Sequence, residues 1–154
     1  MQAEYTAFYK RGAALGLMAI NDQPTQLAVF IGGFMGESFA LRLQEGALLY
    51  EAYGDQYELR LTETLIPSDN TWMQFKAALD KIAFPSWQTE YVDPECLDGT
   101  YWSIKIEYPD LTVKSEGSNR YPGKNGVPSS QQRGGDFERL LKAVRKLIDG
   151  RTFR

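Results

Sequence analysis

Hydrophobic residues along this chain follow two different periods, which divide it into strand-like and helix-like segments. In four runs between residues 27 and 61, apolar side chains occupy every second position, as expected of strands with one buried face. Short turns such as Glu45-Gly46 separate the runs, which predicts an antiparallel meander. The alternating residues are Leu27, Val29 and Ile31, then Phe39, Leu41 and Leu43, then Leu48 and Tyr50, and finally Tyr57, Leu59 and Leu61.

Helical spacing predicts one helix over residues 2–19 and a second that begins near residue 68. Ser68 or Asp69 fits the capping position of the second helix, and Pro85 ends it. Its apolar residues recur at intervals of three and four, so they share one buried face. They are Trp72, Phe75, Leu79 and Ile82.

The last segment has the most regular helical pattern. Asp136 fits as its cap, and Gly150 is placed to end it in a left-handed conformation. Its opposite face is basic. The apolar stripe consists of Phe137, Leu140, Leu141, Val144, Leu147 and Ile148, and the basic face of Arg139, Lys142, Arg145 and Lys146.

A β-hairpin is predicted between the second and third helices. Residues 101–108 and 111–116 each alternate, and Pro109-Asp110 supplies the turn. A short extended piece and a loop precede the hairpin over residues 87–97, and a long polar loop from Gly117 to Gly135 follows it. The pattern therefore predicts a single α+β domain over residues 1–154. Its mostly antiparallel β-sheet combines the N-terminal meander with the C-terminal hairpin, covered by two or three α-helices.

The residue composition excludes several kinds of active site. The chain has no histidine, which removes the Ser-His and Cys-His pairs and the usual zinc ligands. The lone Cys96 cannot form an internal disulfide, which favours a reducing compartment. The first twenty residues lack the pattern of a signal peptide, and no run reaches the roughly eighteen apolar residues of a membrane span. We therefore expect a cytoplasmic protein that needs no cofactor.

Charge is distributed unevenly along the chain. Residues 1–113 hold 7 Lys and Arg against 16 Asp and Glu, a net −9, whereas residues 114–154 hold 10 against 4, a net +6. Summed charge steers association with partners. The two sets of charges either stay apart in the folded chain and steer a partner, or they interleave and cancel. The sequence leaves both possibilities open.

Two further motifs have weak chemical signals. The glycine-rich pieces at Gly32-Gly33-Phe34-Met35-Gly36 and Gly134-Gly135 lack the spacing of phosphate-binding loops, and the first has the pattern of a hairpin turn. Asp93, Glu95 and Asp98 form a carboxylate cluster without the spacing of a known metal loop. A solvated loop is the simpler interpretation of this cluster, and we predict no metal site.

The long loop contains the residue types that recognition surfaces favour. Tyr and Arg offer large contact areas and forked donors, and Asn adapts its hydrogen bonds. The structural alternative is that Asn119 takes a left-handed conformation and that Tyr121 packs back on the sheet. The candidate contact residues are Asn119, Arg120, Tyr121, Lys124 and Arg133.

The segment DGTYWSIKIEYPDLTVKSEGSNRYP, preceded by WQTEYVDP and followed by an amphipathic helix, resembles a pattern found in small uncharacterised bacterial α+β proteins. The resemblance extends over residues 72–148. It implies that hairpin, loop and final helix form one structural unit. It implies no activity, substrate or catalytic residue. The loop from Gly123 to Gly135 is longer than in that pattern, which leaves its role specific to this chain.

The leading hypothesis is a non-enzymatic bacterial protein that binds another protein, of the immunity, antitoxin-like or inhibitor type. Two alternatives stay open. The first is a metal-dependent enzyme that uses Asp93, Glu95 and Asp98. The second is nucleic-acid binding through the basic C-terminal segment, although a pI near 5.1 counts against it. Its residues would be Arg120, Lys124, Arg133, Arg139, Lys142, Arg145 and Arg151, with Tyr121 for stacking. The oligomeric state is left open.

Overall fold

The computed structural model describes residues 22–92, 99–123, 126 and 133–154. These residues contain seven strands, two α-helices and two short 3-10 turns at Asp55–Tyr57 and Phe84–Ser86. The strands are β1 (Gln26–Gly32), β2 (Ser38–Gln44), β3 (Ala47–Tyr53), β4 (Leu59–Leu65), β5 (Glu90–Val92), β6 (Tyr101–Tyr108) and β7 (Leu111–Ser118), and the helices are α1 (Asp69–Lys81) and α2 (Gly135–Leu147).

All seven strands form one sheet in the order β4-β3-β2-β1-β6-β7-β5. Neighbouring strands run antiparallel, except that β5 and β7 are parallel. The predicted meander is β1 to β4, the predicted hairpin is β6 and β7, and the predicted extended piece is β5. Pairing of β1 with β6 joins meander and hairpin, with Ile31 opposite Trp102. The mostly antiparallel α+β fold is thereby confirmed.

The hydrophobic core lies between one face of the sheet and the two helices. The odd-numbered apolar residues of β1 and the even-numbered ones of β6 point into it, as strand alternation requires. The predicted face of α1 and the predicted stripe of α2 are buried there as well. Phe153 closes the core behind α2, with its ring 5.9 Å from that of Phe39.

Helix α1 begins and ends as its sequence predicts. Ser68 is the cap, because its hydroxyl accepts a hydrogen bond of 3.1 Å from the Thr71 backbone N–H. The helix ends at Lys81, and Pro85 lies in the 3-10 turn that follows.

The start of α2 corrects a prediction. The capping residue is Gly134, and Asp136 lies inside the first turn, where its carboxylate pairs with Arg139 at 2.9 Å. A negative charge in the first turn interacts favourably with the helix dipole, so Asp136 stabilises the helix through its charge and not as the cap. At the other end, Gly150 has φ of 82° and its N–H donates to the Arg145 carbonyl at 2.8 Å, as predicted.

The fourth predicted strand also needs correction. Tyr57 lies in a 3-10 turn, and β4 begins at Leu59. Leu59 and Leu61 are 53% and 45% exposed because, among the described strands, β4 has a neighbour on one side only. A register shift in addition places Leu59 opposite Tyr53.

Some predicted features lie outside the described residues. These are the helix over residues 2–19, Cys96 and Lys124. Among the described residues, neither helix is long and apolar enough to cross a membrane.

Removing a buried tyrosine hydroxyl should lower the stability of the fold at Tyr50 but not at Tyr108. The Tyr50 hydroxyl donates to the Thr152 carbonyl at 2.7 Å, so Tyr50→Phe should lower the free energy of unfolding by about 1 kcal/mol. The Tyr108 hydroxyl is buried without a hydrogen-bond partner among the described residues. Tyr108→Phe should therefore leave stability unchanged or raise it by up to about 1 kcal/mol, because an uncompensated desolvation cost disappears.

Urea denaturation of the two variants beside the wild type measures the difference. Burial, followed by the charges of Asp22 and Asp80, raises the pKa of Tyr108, so the hydroxyl stays neutral throughout the physiological range. Equal destabilisation by both substitutions would show that the Tyr108 hydroxyl has a partner in solution.

Candidate functional site

An open cleft of about 820 Å³ lies where β1 ends and β6 begins. The pairing of Gly32 with Tyr101 forms its base, because β1 and β6 run antiparallel. The lining comes from the loop at residues 32–37, from Tyr57, from residues 99–101, and from Asn119, Arg133 and Arg154.

Three aromatic residues, Phe34, Tyr57 and Tyr101, line the cleft, and the half-buried Phe30 beside it contacts both Tyr57 and Tyr101. Ring centroids are 6.2 Å apart between Tyr101 and Phe30, 6.4 Å between Phe30 and Tyr57, and 6.1 Å between Tyr57 and Phe34. Phe34 is 56% exposed, Met35 78%, Tyr57 48% and Tyr101 40%. Large apolar side chains that remain exposed side by side are typical of an interaction surface.

The loop that presents Phe34 and Met35 is fixed by hydrogen bonds. The Ser38 hydroxyl accepts from the Gly33 N–H at 3.2 Å and donates to the Gly33 carbonyl at 3.1 Å. The Phe34 carbonyl accepts from the Gln56 N–H at 2.7 Å, and the Gly36 N–H donates to the Asp55 carboxylate. The backbone that carries the exposed side chains is thus held in place before any partner arrives, which lowers the entropy cost of ordering the loop on binding.

Asn119 also lines the cleft, in the left-handed conformation that the structural alternative expects. Its φ is 52°, in the left-handed region. Its backbone N–H donates to the Thr100 carbonyl at 2.9 Å, and its side-chain oxygen accepts from the Thr100 N–H at 3.1 Å. Asn119 therefore lines the cleft and also ties the end of β7 to the start of β6.

The two arginines of the cleft already have partners. Arg133 lies 5.9 Å from the centre of the Tyr121 ring, and 3.8 Å separates it from the Glu138 carboxylate. Arg154 pairs with Glu37. The positive charges of the cleft are consequently compensated by neighbouring carboxylates.

The Tyr101 hydroxyl donates to the Glu116 carboxylate at 2.9 Å. Burial raises the pKa of Tyr101, and the hydrogen bond and charge of Glu116 raise it further. Tyr101 therefore stays protonated near neutral pH and presents a neutral ring to the cleft.

The predicted contact residues have different places. Asn119 and Arg133 line the cleft. Arg120 is half-buried, and its carbonyl accepts from Trp102 Nε1 at 2.8 Å. Tyr121 is only 5% exposed, in agreement with the structural alternative that its ring packs back on the fold. Its ring packs 4.8 Å from Phe137, in the first turn of α2.

Sequence reasoning missed the most exposed residues of the cleft. Phe34 and Met35 were assigned to a hairpin turn, and that turn is present. Two large apolar side chains inside a glycine-rich turn were the available signal, because such turns normally carry polar residues. Tyr57 and Tyr101 were assigned to strands and gave no separate signal.

Several basic residues of the C-terminal segment contact acidic or backbone groups of the fold. Arg139 pairs with Asp136, Arg151 with Glu63, and Arg145 donates to the Phe153 carbonyl at 2.9 Å. Arg151–Glu63 and Arg154–Glu37 each join a cation of residues 114–154 to an acid of residues 1–113, so at these two places the two sets of charges interleave.

Metal-binding chemistry has no support among the described residues, which contain no group of three or more acidic or cysteine side chains that could hold an ion. The predicted carboxylate cluster of Asp93, Glu95 and Asp98 lies outside the described residues, so the hypothesis of a metal-dependent enzyme stays untested.

Comparison with protein-family models gives no match to this chain, and comparison with curated proteins gives none either. The resemblance of residues 72–148 to small bacterial α+β proteins stays a prediction. The interpretation of the cleft therefore depends on its own residues.

Proposed function

We propose that this chain is a non-enzymatic cytoplasmic binding protein, of the immunity, antitoxin-like or inhibitor type, that acts by occupying another protein. The cleft is its contact surface. One observation carries the proposal: exposed aromatic and methionine side chains stand on a loop that hydrogen bonds have already fixed. Aromatic residues of this kind supply most of the binding energy in many protein interfaces.

The exposure of the lining favours a protein partner over a small molecule. Pockets for small molecules enclose most of the ligand and bury their apolar walls. Here Phe34 and Met35 project into solvent with 56% and 78% of their surface exposed. Such side chains suit a partner that contributes its own apolar residues and buries both sets together.

The test is a paired affinity capture from a lysate of the host cell. The bait is the wild type, the double variant Phe34→Ala with Met35→Ala, or the control variant Leu111→Ala. Leu111 is also an exposed apolar residue, 39% accessible, but it lies at the turn of the β6–β7 hairpin. All three baits should have the same stability within about 0.5 kcal/mol, because these side chains are exposed.

We expect one protein to bind the wild type and the Leu111 variant but not the cleft variant. With that protein purified, the cleft variant should bind at least about tenfold more weakly, equivalent to about 1.4 kcal/mol. Identical capture by all three baits would contradict the proposal. So would turnover of a hydrolase or transferase substrate that a single point variant abolishes, and capture that disappears after nuclease treatment would favour nucleic-acid binding instead.

A further inference from the structure

The tight turn at residues 55–58, beside the cleft, has an unusual backbone. Its two central residues, Gln56 and Tyr57, have φ of 56° and 58°. Its ends are joined by the Glu58 N–H, which donates to the Asp55 carbonyl at 3.2 Å. A turn with two left-handed central residues normally has Asn or Gly there, because a larger side chain crowds its own backbone. Gln56 and Tyr57 therefore hold this conformation at a cost in free energy.

A buried environment does not impose this conformation, since every residue of the turn is exposed. The contacts of the turn are made instead with the loop of the cleft. The Gln56 N–H donates to the Phe34 carbonyl at 2.7 Å, and the Asp55 carboxylate accepts from the Gly36 N–H. The ring of Tyr57 lies 6.1 Å from that of Phe34. Backbone and side chains of the turn thus contact the segment that presents the most exposed residues of the cleft.

We propose that this turn is a positioning element of the cleft and that Asp55 is its positioning residue. The inference rests on the proposed function and adds a residue that acts on binding through the loop, because Asp55 is not among the described residues that line the cleft. The strained backbone directs the Asp55 carboxylate and the Gln56 N–H towards the loop. Strained residues concentrate at functional sites, and a loop that is already held in its binding geometry loses less entropy when a partner binds.

Substitution of Asp55 in the full chain tests the hold on the loop without any partner. In Asp55→Ala, hydrogen exchange of the Gly36 amide should be at least about tenfold faster, because the amide has lost its acceptor. Asp55→Asn should stay within about twofold of the wild type, because its side-chain oxygen still accepts a hydrogen bond. NMR measures this exchange for the single amide. Equal exchange in the wild type and in Asp55→Ala would overturn the inference.

Glycine substitution of two exposed glutamines measures the strain in the turn. Gln56→Gly should leave the midpoint of urea denaturation unchanged or raise it, because glycine adopts a positive φ without strain. Gln74→Gly is the matched control, since Gln74 lies inside α1, and it should lower the midpoint because glycine destabilises a helix interior. An equal drop in both variants would contradict the strain on which the inference depends.

The protein that the wild type captures connects the turn to binding. With that protein purified, Asp55→Ala should bind at least about fivefold more weakly, whereas Asp55→Asn should bind as the wild type does. A partner that loses the cleft variant but binds Asp55→Ala normally would refute the positioning role alone. Normal capture by the cleft variant would instead remove the proposed function, and the inference with it.

Discussion

Replacing Trp102 with alanine should lower the free energy of unfolding by about 3–5 kcal/mol, the largest effect expected of any single substitution discussed for this chain. Trp102 is 2% exposed and lies at the centre of an aromatic cluster. Its ring is 5.0 Å from Phe137 and 5.9 Å from Tyr91, and its Nε1 donates to the Arg120 carbonyl. The substitution empties this volume and also removes the indole N–H that donates to the Arg120 carbonyl.

Chemical denaturation followed by far-UV circular dichroism is the appropriate measurement, since tryptophan fluorescence itself changes in the variant. Tyr101→Ala is the matched control, because Tyr101 is the adjacent residue but points to the other face of the sheet. Its cost should stay near 1 kcal/mol or below. If Trp102→Ala does not fold, Trp102→Phe should still lower the free energy of unfolding by about 1–3 kcal/mol. Equal stability of the wild type and Trp102→Phe would contradict the placement of Trp102 at the centre of the core.

Gly117→Ala should cost about 1–3 kcal/mol through overpacking. A Cβ at Gly117 would lie 2.6 Å from Trp102 Cε2 and 2.5 Å from the Arg120 carbonyl oxygen, both inside van der Waals contact. Gly117 stands opposite Trp102 in the β6–β7 register, so the indole ring occupies the space where a side chain would be. The glycine is required by this close approach.

Thermal and urea denaturation of the alanine variant measure the cost, and Gly135→Ala provides the control. At Gly135 an added Cβ meets only the flexible end of the Arg139 side chain, at 3.0 Å, and alanine suits a helix, so stability should be unchanged or higher. In the double variant with Trp102→Ala, the cost of Gly117→Ala should fall, because the ring that obstructs the Cβ is gone. Fully additive costs would show that Trp102 is not the obstacle.

Local periodicity predicted most elements of this fold because each strand or helix buries one face, and the spacing of its own apolar residues shows which face that is. Trp72 and Phe75 in α1 and Trp102 and Ile104 in β6 are buried as their spacing indicates. The pairing of β1 with β6 could not be predicted in this way. Both strands bury alternate residues equally well beside several neighbours, so the pattern contains no information on which strand lies next to which.

The cleft was harder to predict than the fold for a related reason. Asn119 and Arg133 were found from their residue types, but Phe34, Tyr57 and Tyr101 come from three separate segments that meet only in the folded chain. For Tyr121 the residue type left a contact surface and a packing role both open, and only the folded chain shows that the first turn of α2 supplies Phe137, on which Tyr121 packs.

The central pairing of β1 with β6 has a consequence for how the protein is made. Strands β1 to β4 can form hairpins as soon as they leave the ribosome, but Leu27 has to wait for Ile106 before its own strand acquires a second neighbour. Until then, the edge of β1 that contains Val29 and Ile31 has no partner strand in the nascent chain, and it can pair with a strand of another chain. Pairing over so long a sequence separation is also slow. Slower translation of the segment between β4 and β6 would lengthen that exposure, so we expect the yield of soluble protein to depend on codon choice there and on the supply of chaperones.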